Sequence, residues 1–394
     1  MAIQFSIDFD QYPAIEQQGV AEALSHACEI IKHNLSTFTH SSQMHSSINN
    51  FYQACENDHW TSGFWPGTIW LAYENTQDEA FKQSGLIHVE SFNQRILNKV
   101  EIEHHDLGFL FTPACVSAWK LTGSDLARES AILGASALID RYQLKGGFIQ
   151  AWGAMDERDN YRFIIDCLMN VPLLYWAAEE TKQDEYRRIA STHTKTTLEN
   201  IIRKDGSTYH TFFMDPVTGG PVRGSACQGY SDESAWARGQ AWGIYGFALA
   251  YKNEKEERYL EAFETVTQYF FQHLPEDLVP YWDLSFTSGS DEPRDTSSAS
   301  IAACGLLEMA ALVEEEQAKL YRSIARKLIY SVYTNYAVKD INQSNGLVLH
   351  GTYSKKTPFN TCTEEGVDEC VSWGDYFYME ALTRLNKEWD SYWN

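Results

Sequence analysis

The sequence predicts an all-α fold, an (α/α)6 barrel of six helical hairpins that forms a single domain over residues 1–394. Apolar helices rich in small residues begin near residues 64, 109, 170, 235, 296 and 375. Amphipathic helices begin near residues 20, 78, 125, 185, 258 and 317, so the two kinds alternate along the chain. A helix that is apolar all round is buried, whereas an amphipathic helix covers a core with one face. Six buried helices ringed by six half-exposed helices describe this barrel.

The first half of the chain supplies three hairpins. Apolar residues recur at helical spacing over residues 20–38, and Pro66 suits the first turn of a helix that runs to about residue 74. Residues 78–100 and 125–142 are amphipathic, and Asp106 stands just before an apolar helix that ends near residue 121. Residues 145–161 are predicted to form a loop. Asp166 then lies among apolar residues, and Pro172 can open the helix that follows.

The second half repeats the alternation. A helix over residues 185–203 precedes a turn-rich segment, in which YHTFFMD is predicted to form a short hairpin. Ser231 or Asp232 is predicted to cap an apolar helix over residues 235–251. Amphipathic helices over residues 258–273 and 317–336 enclose the apolar helix of DTSSASIAACGLLEMAAL, and a polar loop over residues 350–365 precedes SWGDYFYMEALTRL. The loops that enter the apolar helices carry Asp, Trp and His, which gathers a site at one end of the barrel.

Composition narrows the class of protein. The chain has 31 Lys and Arg against 54 Asp and Glu, a net charge of −23, which argues against nucleic acid or an anionic membrane as partner. Eight cysteines without a CxxC pair are expected to be reduced core residues, which favours a cytoplasmic location. The first residues lack the basic and apolar regions of a signal peptide, and no stretch is apolar for long enough to span a membrane.

The stretch QGYSDESAWARGQAWGIYGFALAY, residues 228–251, is the centre of the sequence. Arg238 lies one helical turn before Trp242, near the start of a helix that is apolar on every side. A guanidinium beside an indole can bind a small anionic ring-shaped ligand. An arginine paired within an aromatic core explains the same pattern equally well.

Several motifs in fixed order resemble glycoside hydrolase family 88, the unsaturated glucuronyl hydrolases. They are WTSGFWPG, HDLGF, the run from Asp166 to MNVP, QGYSDESAWARGQAWGIYG, DTSSAS and SWGDYFYMEAL. The resemblance covers the chain from about residue 60 onward, and the long central motif is far more specific than the short ones. It implies an (α/α)6 barrel, in agreement with the helix pattern. It also implies a glycosidase that takes lyase-generated glycosaminoglycan oligosaccharides with a C4=C5 unsaturated uronic acid at the non-reducing end.

The chemistry implied by the resemblance is hydration of a vinyl ether. An acid protonates C4, water adds at C5, and the hemiketal that results opens and releases the partner sugar. By motif match Asp166 is the general acid/base and Asp106 is a second carboxylate that holds sugar hydroxyls and modulates Asp166. The apolar neighbours of Asp166 would raise its pKa, and a nearby carboxylate would raise it further. From the residues alone, Asp166 also fits a hydrogen-bonded structural aspartate and Asp106 a helix N-cap.

The resemblance gives further residues roles in binding the substrate. Gln228 and His210 would position the attacking water or a sugar hydroxyl, although a lone histidine in a loop also fits surface decoration. Arg238 would bind the uronate or a hydroxyl. Tyr353 is a weaker match. The tryptophans that would wall the sugar site, any of which also fits a plain core, are Trp60, Trp152, Trp236 and Trp242.

Ser354, Lys355 and Lys356 form a local basic patch in an acidic protein. In streptococcal-type members of the family, a segment rich in Ser and Lys in about this region accepts sulfated disaccharides, so sulfate binding by Ser354 and Lys356 is one hypothesis. A solvated turn is the other.

Two other functions are consistent with the sequence. An unsaturated rhamnogalacturonyl hydrolase of the related family 105 would share the barrel and the chemistry, and a non-catalytic carbohydrate-binding toroid would not need its aspartates. No metal and no cofactor are expected, since no HExxH pattern, paired ligand spacing or phosphate-binding glycine loop is present.

Overall fold

The structure is a computed structural model, and it describes residues 7–394. The first six residues, which belong to the stretch that lacks the pattern of a signal peptide, lie outside the described range. Helices dominate the fold, and the long ones alternate between an inner and an outer ring. The helices are α1 (Gln17–Phe38), α2 (Phe64–Thr76), α3 (Glu79–Leu97), α4 (Leu107–Phe111), α5 (Ser117–Thr122), α6 (Asp125–Ile139), α7 (Cys167–Asn170), α8 (Pro172–Thr181), α9 (Asp184–Ile201), α10 (Ala237–Glu254), α11 (Glu257–Gln272), α12 (Thr296–Ala310), α13 (Glu315–Ser331) and α14 (Ser372–Asn386).

The inner ring consists of six helical segments. They are α2, the continuous pair α4 and α5, the pair α7 and α8, α10, α12 and α14, and each packs against the next until α14 closes on α2. A π-helical segment, Thr112–Val116, joins α4 to α5. Nearly every residue of α10 and α12 is buried because both helices are apolar all round. This ring confirms the predicted inner helices and the (α/α)6 architecture.

The outer ring consists of α1, α3, α6, α9, α11 and α13. Each is amphipathic and buries one face on inner helices; α11 lies on α10, for example, and α13 lies on α12. The first outer helix, α1, packs against α14 and α2, so the two ends of the chain meet where the ring closes. Among residues 7–394, no helix has both the length and the apolarity that crossing a bilayer requires.

Short antiparallel strands lie at the end of the barrel where the inner helices begin. They are β1 (Ser42–Gln43), β2 (Ala54–Cys55), β3 (Tyr142–Gln143), β4 (Phe148–Ile149), β5 (Arg162–Ile164), β6 (Thr211–Met214), β7 (Pro221–Ser225), β8 (Gly351–Ser354) and β9 (Glu365–Glu369). Strand β6 pairs with β7, which confirms the predicted hairpin, and β6 also pairs with β5 so that Phe163 lies opposite Phe212. The predicted loops at 145–161 and 350–365 were wrong in part, because β4 pairs with β3 and β8 with β9.

The predicted cap of α10 was wrong. The helix begins at Ala237 with Trp236 at the cap position, and neither Ser231 nor Asp232 caps it. The Asp232 carboxylate instead accepts from Ser225 Oγ at 2.8 Å and from the Ala226 amide at 3.0 Å. It therefore ties the end of β7 to the turn before α10, a pairing that local sequence does not reveal.

The cysteines are free, as predicted, but not all of them are core residues. Five are buried, whereas Cys55, Cys227 and Cys362 are half-buried.

A buried ionic cluster lies toward the carboxyl ends of the inner helices, away from the strands. Arg384 of α14 donates to Glu308 of α12 at 2.7 Å, to Glu380 at 2.9 Å and to the Tyr245 hydroxyl of α10 at 2.6 Å. All four side chains are almost fully buried. The cluster joins three of the six inner helices.

Candidate active site

A cavity of about 210 Å³ opens at the end of the barrel where the inner helices begin. It contains most of the site residues predicted from the sequence. The side chains that line it are Trp60, His105, Asp106, Trp152, Ile164, Asp166, His210, Gln228, Trp236, Arg238, Trp242 and Tyr353.

Two aspartates at helix starts meet in this cavity. Asp106 directly precedes α4, and Asp166 directly precedes α7. Neither side chain caps its own helix, so the N-cap alternative for Asp106 fits its position but not its hydrogen bonds. One oxygen of each carboxyl group and one ring nitrogen of His105 all lie within 4.8 Å of one another. The side chains of Asp106 and Asp166 are only 12% and 15% exposed, so the pair is largely removed from water.

Gly108 and Asn170 bring the two aspartates together. A Cβ atom at Gly108 would lie 2.3 Å from the Cα atom of Asn170, so only glycine allows α4 to approach α7 this closely. The Asn170 side chain then accepts from the Phe109 amide at 2.8 Å and lies 3.5 Å from Asp106 Oδ1 and 3.2 Å from the Asp166 carbonyl oxygen. The glycine of HDLGF and the asparagine of MNVP therefore set the spacing of the pair.

His105 lies between the two carboxyl groups. Its Nε2 atom is 3.4 Å from Asp106 Oδ1 and 3.4 Å from Asp166 Oδ1. The ring is 1% exposed, and burial lowers the pKa of His105 to about 4, although the charge of Asp106 opposes this shift. The imidazole is therefore neutral at physiological pH and can offer these oxygens an N–H group without a full charge.

The environment drives the pKa values of the two aspartates apart. Burial raises the pKa of Asp166 well above its ordinary value, and the charge of Asp106 raises it further, while Arg238 opposes both. Burial also raises the pKa of Asp106, but His105, His104 and Asn170 beside it outweigh burial, so this pKa lies below its ordinary value. Two carboxyl groups with separated pKa values form an acid that keeps its proton beside a carboxylate that is ionised. Burial and a nearby carboxylate, the two causes of a raised Asp166 pKa that the sequence predicts, are therefore both present.

Tryptophans form the walls and the floor of the cavity. Trp60 stacks on Trp373 at 5.4 Å between ring centroids, and Trp152, at 36% exposure, stands at the rim with the Arg162 guanidinium 4.6 Å from its ring centre. Trp242 is 1% exposed and packs on Phe109 at 5.1 Å, so it serves the core and the cavity floor together. Aromatic faces of this kind suit the apolar faces of a sugar ring.

Arg238 is both a core residue and a cavity residue. Its guanidinium pairs with the buried Asp295 at 3.1 Å and donates to the carbonyl oxygens of Thr352 at 2.5 Å and Tyr353 at 2.8 Å. It lies between the Trp236 and Trp373 rings, 4.4 Å and 4.7 Å from their centres. The two alternatives raised by the sequence are therefore compatible, since this arginine anchors strand β8 while it lines the cavity.

Three polar side chains face the cavity from its other sides. Gln228 Oε1 lies 3.5 Å from the Arg238 guanidinium, and the Tyr353 hydroxyl accepts from Trp60 Nε1 at 3.2 Å. His210 is buried, and its Nδ1 atom lies 2.7 Å from Thr211 Oγ1. The alternative that it is an exposed surface residue was therefore wrong. Burial, aided by Arg238 and Arg162, lowers the pKa of His210 to about 3, which leaves its ring neutral.

The basic patch lies outside the cavity lining. The Ser354 hydroxyl donates to the Thr363 carbonyl oxygen at 3.0 Å, and Lys355 pairs with Glu364 at 3.3 Å. Lys356 is exposed. Strand β8 alternates its side chains, so Tyr353 faces the cavity while Ser354 turns away.

Sequence reasoning missed His105, Asn170 and Ile164. The signal for His105 was present in HHDLGF, but two adjacent histidines gave no basis for choosing which of them points inward. His105, Asp106 and Asp166 also bring three possible metal-ligand atoms within 4.8 Å of one another, which is close enough to hold a metal ion. The absence of a metal and of a cofactor from the function stays a prediction.

Fold and cavity define an (α/α)6 barrel with a carboxyl pair of separated pKa values inside an aromatic-walled cavity. A family model, Glycosyl Hydrolase Family 88, matches residues 30–361. The unsaturated chondroitin disaccharide hydrolase of Streptococcus pneumoniae is 43% identical over 387 residues, which are 98% of this chain and 96% of that protein. The chain belongs to glycoside hydrolase family 88.

Solved structures agree with this assignment. The crystal structure of unsaturated glucuronyl hydrolase from Streptococcus agalactiae is 41% identical and superposes with a TM-score of 0.95, over 100% of this chain and 98% of that one. A mutant of that enzyme, complexed with dGlcA-GalNAc6S, is 38% identical with a TM-score of 0.87, over 100% and 99% of the two chains.

Proposed function

We propose that this protein is a hydrolase that releases the 4,5-unsaturated uronic acid from the non-reducing end of lyase-generated glycosaminoglycan oligosaccharides. The observation that carries this proposal is the mostly buried carboxyl group of Asp166, which keeps its proton beside the ionised Asp106. An unsaturated uronate is a vinyl ether that needs an acid at C4 and then a base for water. The names of the streptococcal relatives, and the complex of one of them with an unsaturated disaccharide, support the same substrate class.

One carboxyl group performs both steps of the proposed reaction. Asp166 gives its proton to C4, and the positive charge that develops is shared between C5 and the ring oxygen. Water adds at C5 and passes a proton to the Asp166 carboxylate, which restores the acid. The product at C5 is a hemiketal, whose opening breaks the C5–O5 ring bond, leaves a keto group at C5 and passes the hydroxyl proton to O5. C1 is then a hemiacetal, which collapses to an aldehyde and releases the partner sugar with that proton on its oxygen. No proton is gained or lost by the enzyme over the cycle.

The other cavity residues hold the sugar and the water. The Asp106 carboxylate accepts hydrogen bonds from sugar hydroxyls and keeps Asp166 protonated by its charge. Trp60 and Trp152 stack on sugar faces, and Gln228 and His210 offer polar atoms to the attacking water. Arg238 gives the uronate a positive field inside a protein of net charge −23.

The first experiment follows the ultraviolet absorbance of an unsaturated chondroitin or hyaluronan disaccharide during incubation with the protein. The conjugated double bond absorbs, and hydration with ring opening destroys it, so we expect the signal to decay. A folded protein that leaves these disaccharides unchanged but bleaches unsaturated rhamnogalacturonan fragments would move the function to the family 105 alternative. Inactivity on both would leave a binding toroid.

The pKa directions predict a bell-shaped pH dependence of kcat/KM. Asp166 acts as its protonated form, so activity is lost as pH rises through its raised pKa, and Asp106 acts ionised, so activity falls as pH drops through its lowered pKa. Asp106→Asn removes the charge that raises the pKa of Asp166. We therefore expect the alkaline limb of the residual activity to move to lower pH, and an unmoved limb would contradict the assignment of the pair.

A second prediction concerns the basic patch. Lys355 is already paired with Glu364, and Lys356 is exposed outside the cavity lining, so the structure favours the solvated turn over sulfate binding. The Lys355→Ala, Lys356→Ala double variant is expected to change the ratio of kcat/KM for sulfated over unsulfated disaccharides by less than about twofold, as for exposed charges in water. A selective loss on the sulfated substrate would restore the sulfate hypothesis.

A further inference from the structure

His193 is a buried histidine of outer helix α9 to which the proposed reaction gives no role. Its ring is fully buried and packs edge-on against Phe163 at 6.0 Å. The backbone amide of Ile149 donates to its Nδ1 atom at 3.3 Å. Because Nδ1 accepts this bond, a neutral His193 carries its proton on Nε2. The Nε2–H group is buried and has no hydrogen-bond partner among residues 7–394.

His105 shows the complementary pattern. Its Nε2 atom faces Asp106 and Asp166, while its Nδ1 atom is buried and also has no partner among the described residues. If Nε2 carries the proton, Nδ1 is an acceptor that lacks a donor. An unpaired donor and an unpaired acceptor, both fully buried, each cost free energy, so both groups call for an explanation.

One stretch of backbone contacts both histidines. Ile149 donates its amide to His193, and Ala151, two residues further on, accepts from the His105 amide at 2.7 Å. Both bonds arise within three residues, at the end of strand β4 and just beyond it, so one short segment holds the His193 ring and the His105 backbone. His105 also lowers the pKa of His193, after the larger effect of burial, so the two imidazoles lie within electrostatic reach.

We propose that His193 is a positioning residue for catalysis: its Nε2–H group donates to a water molecule that in turn donates to Nδ1 of His105, and so holds the His105 proton on Nε2. The backbone of Ile149 sets the tautomer of His193, and His193 sets the tautomer of His105. His105 then presents an N–H group to the aspartates throughout the cycle. This inference rests on the proposed function for its kinetic consequence, but the tautomers can be measured without any substrate.

The relay has a defined effect on Asp166. An N–H group directed at a carboxyl group favours its ionised form, whereas a bare ring nitrogen favours the protonated form. Loss of the relay lets the His105 proton move to Nδ1, which raises the pKa of Asp166 and weakens it as an acid. The titratable or charged groups around His105 that share in this balance are His104, Asp106, Arg141, Asp166, His193 and His210.

Two substitutions at His193 separate the relay from packing. His193→Asn keeps an acceptor near the position of Nδ1 for the Ile149 amide but loses the distant donor. His193→Gln keeps an amide donor near the position of Nε2 and gives up the Ile149 bond. We expect kcat to fall about tenfold in the Asn variant, in the range of residues that orient a functional histidine, with KM nearly unchanged. The Gln variant is expected to recover most of this loss, and the alkaline limb of the Asn variant to move to higher pH. His33→Asn, on the exposed face of α1, is the matched control.

The decisive measurement is the nitrogen NMR spectrum of the full chain labelled with ¹⁵N-histidine. We expect the wild type to show His105 and His193 as neutral Nε2–H tautomers, and His193→Asn to convert part of His105 to the Nδ1–H form. A wild-type His105 protonated on Nδ1, or an Asn variant that keeps the wild-type His105 tautomer, would overturn the proposal. If the wild type lacks activity on unsaturated disaccharides, the proposed function fails, while the tautomer result stands or falls by itself.

Discussion

Asp166→Asn is expected to lower kcat on an unsaturated disaccharide by about 10³-fold, the scale of a lost general acid and base. The asparagine amide matches the carboxyl group in size, so the cavity and the Asn170 contact to the residue 166 carbonyl remain. It cannot give a proton to C4 or take one from water at a useful rate. The decay of ultraviolet absorbance under saturating substrate measures the effect.

Binding distinguishes lost chemistry from lost structure in this variant. Four tryptophans line the cavity, so their fluorescence reports whether Asp166→Asn still binds the disaccharide. We expect affinity within a few-fold of the wild type and unchanged thermal unfolding. Residual activity near that of the wild type, in a variant that binds normally, would remove Asp166 from the acid/base role.

The largest expected loss of stability follows from Arg384→Leu. This change leaves Glu380 buried without its cation and Glu308 paired with Lys252 alone, and it removes the hydrogen bonds by which Arg384 joins α14 to α10 and α12. Removing one partner of a buried ion pair costs about 3–5 kcal/mol of the free energy of unfolding. Denaturant unfolding followed by circular dichroism should show the decrease.

A matched arginine on the surface controls for the loss of side-chain volume and charge. Arg322 pairs with Glu315 at 2.9 Å, but the two side chains are 42% and 66% exposed. Arg322→Leu is therefore expected to change the free energy of unfolding far less than Arg384→Leu. Equal effects of the two substitutions would mean that the buried cluster contributes nothing beyond any surface pair.

The features that could be predicted from the sequence are those set by short-range pattern. Helical spacing places six apolar segments inside six amphipathic ones, and the aspartates of HHDLGF and RFIID stand at the starts of inner helices, where side chains converge. Burial of Asp166 among its apolar neighbours likewise gives the direction of its pKa. These inferences need only residue order and the geometry of helices.

The rest depends on contacts between distant segments. Arg238 binds backbone oxygens more than 110 residues away, and nothing near it in the chain announces them. Whether His104 or His105 points inward is decided by the bond from the His105 amide to Ala151. Tyr353 faces the cavity and Ser354 faces away from it because β8 is a strand. The polar composition of that segment had predicted a loop.

The closed floor of the cavity limits how many times one oligosaccharide can react. Trp242 rests on Phe109 and Phe377, both fully buried, so a sugar chain can enter by its end but cannot thread through. Under the proposed chemistry each visit consumes the one double bond and leaves a saturated terminus that the acid cannot attack. The number of turnovers therefore depends on the number of chain ends and not on the number of sugar units. A tetrasaccharide and a disaccharide at equal molarity should lose equal absorbance. The shortened product can react again only after a lyase has cut it to give a new unsaturated end.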